Sequence, residues 1–83
     1  MAFLVTASAQ LGPTLRGLRK SRALTQADVA RASGLRQKTV SLLETAPQRC
    51  SVDSLLRYLG AVRATLSLDL LPSTAGAGHD GAW

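Results

Sequence analysis

The sequence predicts a mainly α domain of four or five helices, closed by one C-terminal strand that pairs across a dimer. Three observations carry that expectation. Residues 25–45, TQADVARASGLRQKTVSLLET, read as two short helices broken at Ser33-Gly34. Leu11, Leu15 and Leu18, and then Val52, Leu55, Leu56, Leu59 and Val62, recur at the spacing of apolar helix faces. Leu66, Leu68 and Leu70 alternate with Thr65, Ser67 and Asp69, the signature of a half-buried strand.

Residues 1–7 contain an apolar run, Phe3-Leu4-Val5, suited to a short strand or an ordered arm. The first helix follows, with Ser8 as its cap and Pro13 tolerable only near its start, so its regular part begins as late as Gly12. Gly17 lowers helix propensity there, and close packing against a neighbouring helix is its expected use. Thr25 caps the second helix by accepting a backbone N–H. Gly34 leaves it in the left-handed conformation that glycine adopts without a Cβ clash. Beyond it Leu35, Val40 and Leu43 fall on one side of a third helix, while Arg36, Gln37, Lys38, Thr39 and Ser41 fall on the other. Two short helices, a glycine turn and a polar second helix point to DNA reading. A loop with Pro47 precedes Ser51, which caps the fourth helix; Cys50 reads as a small apolar residue near that cap.

The strand cannot satisfy its own backbone, so it needs a partner. Residues 2–6 are the candidate within the chain. The other candidate is a second copy, and dimerisation through Leu66, Leu68 and Leu70 is the preferred reading, because paired DNA half-sites need a two-fold axis. The organisation expected is therefore an arm over 1–7, the helix-turn-helix domain with its dimerisation strand over 8–71, and a flexible tail over 72–83. That tail, rich in Pro, Gly, Ser and Ala, ends in the chain's one tryptophan, Trp83, which fits a partner-docking anchor. His79 has no neighbouring ligand set.

The chain has 83 residues, enough for one small core, and its one cysteine excludes an internal disulfide or a multi-cysteine zinc site. A lone thiol fits a reducing cytoplasm. No apolar run approaches the roughly 20 residues needed to cross a membrane, and MAFLVTASA lacks the basic start of a signal peptide. Charge is placed unevenly. Between residues 16 and 49 eight basic side chains face only Asp28 and Glu44, whereas residues 50–83 carry two arginines against three aspartates. A basic half that coincides with the motif is the footprint of a nucleic-acid face. With one His, one Cys and no spaced carboxylate pair or phosphate loop, no catalytic constellation assembles, and no cofactor or metal is expected.

LTQADVA followed by GLRQKTVSLLE resembles the Cro/C1-type helix-turn-helix family, with Gln26 opening the first motif helix, Ala30 at the helix crossing, Gly34 at the turn, and Val40 and Leu43 anchoring the second. The resemblance implies an ion pair between Arg19, seven residues before the motif glutamine, and Glu44, which closes the recognition helix. If partly buried, losing one partner costs about 3–5 kcal/mol; if exposed, well under ~1 kcal/mol. Leu42 departs from the pattern, since related motifs often carry a polar residue there; contact with a thymine methyl and plain packing both remain open.

The order of elements over 8–71, the passage SLLRYLGAVRATLSL and the terminal Trp83 resemble HipB-like antitoxins. That resemblance implies a cytoplasmic homodimer that binds double-stranded operator DNA, represses its own operon and neutralises a HipA-type serine/threonine kinase toxin. The expected DNA-binding residues are Thr25, Gln26, Arg36, Gln37, Lys38, Thr39, Ser41 and Arg49. Gln37 is suited to a bidentate bond with adenine; Arg36 or Lys38 to guanine or phosphate; Thr39 and Ser41 to a base edge or backbone. Gln26 at a helix start suits a phosphate, and Arg49 either a phosphate or solvent. A stand-alone or phage-type regulator shares this face but has no toxin partner. A partner-binding scaffold would bind DNA weakly and with little response to salt.

Overall fold

The computed structural model describes residues 3–71. Four α-helices run α1 (Ser8–Ser21), α2 (Gln26–Ser33), α3 (Gln37–Thr45) and α4 (Val52–Ala61), with a 3₁₀ turn at Pro47–Arg49. The helix α1 lies against α3, while α2 contacts both α3 and α4. The fully enclosed core is small: Leu15, Val29, Val40, Leu43, Tyr58, Leu59 and Val62. Leu11, Leu18, Leu24, Ala30, Leu35, Cys50 and Leu55 pack around it half-buried. Cys50 is thus an apolar filler at the rim.

Local chemistry explains the helix ends. Thr25 Oγ1 accepts from Asp28 N at 3.1 Å and Asp28 Oδ2 accepts from Thr25 N at 2.8 Å, a reciprocal capping box that starts α2. Gly34 ends it at φ +76°, donating its N–H to the Ala30 carbonyl at 3.0 Å. Ser51 Oγ accepts from Ser54 N at 3.0 Å and starts α4. The helices α1 and α4 both close in Schellman turns: Leu24 N bonds the Arg19 carbonyl, and Ala64 N bonds the Leu59 carbonyl. Ala23 and Arg63 occupy the left-handed positions of those turns.

The structure corrects several expectations. Ser8 is the first helical residue of α1, not its cap; Ala7 holds the cap position, and Gln10 Oε1 reaches back to accept from Ala7 N at 3.1 Å. Because that bond secures the first turn, α1 begins at Ser8 and carries Pro13 within it. The glycine of close approach is Gly12: a Cβ there would lie 2.5 Å from the Glu44 carbonyl oxygen. Gly17 has open space around it. Pro47 does not merely interrupt helix but opens the 3₁₀ turn, where its missing N–H costs nothing. Finally, the buried face of α4 is rotated towards Tyr58, which is wholly enclosed, leaving Val52 and Leu56 exposed. Tyr58 wins that place because its hydroxyl finds polar partners inside.

Residues 64–71 form no strand in the single chain, and no ladder joins them to residues 3–6. An extended segment becomes a strand only when another backbone takes its hydrogen bonds. Leu66 is about half exposed, and Leu68 and Leu70 almost fully. Phe3, Val5, Leu66 and Leu68 flank an apolar groove of about 570 Å³ floored by Leu11, Leu15, Leu18, Leu55, Leu59 and Val62. Trp83 and the tail over 72–83 lie outside the described residues.

Candidate nucleic-acid interface

Helix α3 presents Arg36, Gln37 and Lys38 to solvent at its N-terminus, with Thr39, Ser41 and Leu42 half-buried along it. No side chain caps this end: the Arg36 carbonyl accepts from Thr39 N and Val40 N, so the N–H groups of Gln37 and Lys38 face outward unpaired. Arg49, in the 3₁₀ turn, and Thr25, at the cap of α2, are exposed. Leu42 does not join the residues packed on the core.

Pairing separates the basic residues into two groups. Arg19 bonds Glu44, Arg31 lies against Asp28, and Arg57 bonds Asp53. Arg22 turns to the far end of α4, where its Nε donates to the Val62 carbonyl at 3.1 Å. Among the described residues, Arg16, Lys20, Arg36, Lys38, Arg49 and Arg63 make no ion pair. The sequence count of eight basic residues therefore overstates the free charge, because Arg19 and Arg31 are paired with carboxylates.

Beneath this surface lies a polar cluster that draws on all four helices. Glu44 accepts from Arg19 Nε at 2.7 Å and Nη2 at 3.0 Å, a bidentate fork. Gln26 Nε2 donates to Glu44 Oε1 at 3.3 Å. The Tyr58 hydroxyl lies 2.5 Å from Glu44 Oε2 and 3.0 Å from the Leu15 carbonyl; its single proton goes to the carboxylate, the stronger acceptor. Arg19 Nη1 also donates to the Leu24 carbonyl at 3.0 Å, tying down the link into α2. The side chains of Glu44 and Arg19 are only 3% and 11% exposed, so the pair belongs to the interior. The sequence showed neither Tyr58 nor the inward bond of Gln26, although a lone tyrosine amid a leucine stripe was the available signal.

Burial alone pushes the Glu44 carboxyl up, but the hydrogen bonds from Arg19, Tyr58 and Gln26 outweigh it and hold the pKa below its ordinary 4.5. The backbone and hydroxyl of Thr25 lower Asp28 below 3.8. Burial, with the Glu44 bond, raises the Tyr58 phenol above its ordinary 10.0. The signs fix the pH response. Depressed carboxylates contribute stability that is present above their unfolded pKa and is lost as pH falls through the folded values. Urea unfolding monitored by circular dichroism should therefore give a steady midpoint from pH 7 to 5, then a decline below about pH 4.5. A raised phenol contributes stability below its unfolded pKa and loses it on the alkaline side, beyond its ordinary 10.0.

The helix-turn-helix domain model matches residues 10–69, and the chain belongs to that family. Its fold is that of HipB. A HipB variant in an O2 20mer complex superposes with a TM-score of 0.80 at 21% identity, covering 87% of this chain and 100% of that one. The HipA–HipB–O2–O3 complex supplies a second match, with a TM-score of 0.80 at 20% identity over 86% of this chain and 100% of the other. A HipB–O1–O2 complex matches with a TM-score of 0.77 at 20% identity over 82% and 99%. No protein of curated function matches the sequence. Among the described residues no helix is long and apolar enough to cross a membrane.

Proposed function

We propose that this chain is a sequence-specific DNA-binding repressor, cytoplasmic and homodimeric, that serves as the antitoxin of a HipA-type serine/threonine kinase toxin. The observation that carries the DNA reading is the pair of exposed, unpaired Arg36 and Lys38 at the open N-terminus of α3, with exposed Arg49 in the 3₁₀ turn beyond its other end. In this reading α3 enters the major groove. Gln37 bonds a base edge, Arg36 or Lys38 takes guanine or phosphate, and Thr39, Ser41 and Leu42 line the groove wall. Thr25, Gln26 and Arg49 meet the backbone on either side. Exposed Leu66, Leu68 and Leu70 support pairing with a second copy, which sets two α3 helices about 34–36 Å apart for successive half-sites.

The toxin pairing rests on the likeness to HipB, including the complex that also holds HipA. Co-expression with the product of the adjacent gene tests it: a stable complex on gel filtration that is lost when Trp83 is removed is expected. A neighbour that is no kinase, or that elutes apart, would leave a stand-alone regulator. For the base contact, Gln37→Ala should cost about 1–3 kcal/mol on the true operator and relax preference at one position. Equal losses on operator and random DNA in a gel-shift series would contradict that role.

A further inference from the structure

Gln26 faces two ways with one amide. A carboxylate only accepts, so the bond to Glu44 Oε1 fixes the amide with its nitrogen inward. That nitrogen carries two protons, and Glu44 takes one. The other is left at the first residue of α2, beside the backbone N–H groups of Gln26 and Ala27, which have no intrahelical carbonyl to bond. We propose that Glu44 is a positioning residue for DNA binding: buried and out of reach of a duplex, it orients the Gln26 amide so that the second N–H meets a backbone phosphate. This rests on the DNA-binding reading above. Arg19 neutralises the carboxylate through its bidentate fork, so the positioning adds no net negative charge beneath the interface. Tyr58 and Arg19 hold Glu44 itself, which connects the phosphate contact on α2 to the packing of α1 and α4.

A double-mutant cycle tests the proposal. Gln26→Met, Glu44→Gln and the double variant are titrated onto the chain's own upstream DNA and onto a scrambled duplex of equal length, well below each unfolding midpoint. Each single change should weaken both duplexes by about tenfold without changing base preference, as loss of a phosphate contact does. The double variant should lose no more than either single one. Folded Glu44→Gln that binds like wild type, or losses that multiply, would overturn the proposal. Wild-type protein that ignores both duplexes would overturn the DNA-binding reading itself, and this inference with it. Should Glu44→Gln fail to fold, side-chain amide exchange in the wild-type protein decides. One Gln26 amide proton protected in the free protein, with the second joining on addition of DNA, is expected; two freely exchanging protons in the free protein would refute it.

Discussion

Glu44→Ala is expected to cost the domain about 3–5 kcal/mol, the largest effect of any single substitution here. The change leaves the Arg19 guanidinium enclosed without a counter-charge and strips partners from Gln26 and the Tyr58 hydroxyl. A small domain holds only about 5–15 kcal/mol in all, so the variant should lose a large share of its stability and melt well below the wild type. The expected penalty belongs to breaking the pair rather than to the net worth of the pair. Replacing Arg19 and Glu44 together by methionine should therefore cost much less than Glu44→Ala alone. Thermal melts of the three proteins test this; a double replacement as damaging as the single one would show that packing, not the stranded charge, sets the loss.

Gly12→Ala and Gly17→Ala should move stability in opposite directions. Both glycines lie in α1, and alanine is the better helix former by about 1 kcal/mol. At Gly17 that gain stands alone, since the added methyl meets nothing within 4 Å. At Gly12 the methyl would sit 2.5 Å from the Glu44 carbonyl oxygen and 3.0 Å from its carbon, both rigid backbone. Separating α1 from α3 to admit it should cost about 1–3 kcal/mol or more and tilt the Glu44 cluster that α3 carries. Denaturant midpoints that rise for Gly17→Ala and fall for Gly12→Ala are the expected pair; a rise for both would place α1 farther from α3 than the structure does.

The helix-turn-helix was legible because its signals are local. A hydroxyl cap at Thr25, a left-handed Gly34 and the apolar spacing of Val40 and Leu43 each depend on neighbours within a few residues. What escaped depends on partners far along the chain. Gly12 and Gly17 look alike in sequence, and only the approach of Glu44, thirty-two residues away, separates them. Tyr58 sits within the apolar face of α4, but the acceptor on α3 that holds its hydroxyl is not visible in the sequence. Gln26 is expected at a phosphate and Arg22 counts among the basic residues of 16–49; the inward bond of the Gln26 amide and the Arg22 bond at the end of α4 are partners no local pattern shows. The expected strand over 64–71 shows the converse: its alternation is plain, but the ladder that would make it a strand requires a backbone that the described residues do not provide.

The central claim is that α3 reads operator DNA, and the most direct test is a titration of the purified protein onto its own upstream sequence at two salt concentrations. Arg36, Lys38 and Arg49 from each of two copies should give tight binding to a palindrome whose affinity falls steeply with salt. Lys38→Ala should flatten that slope. Absence of specific binding at low salt, from a folded protein, would contradict the account.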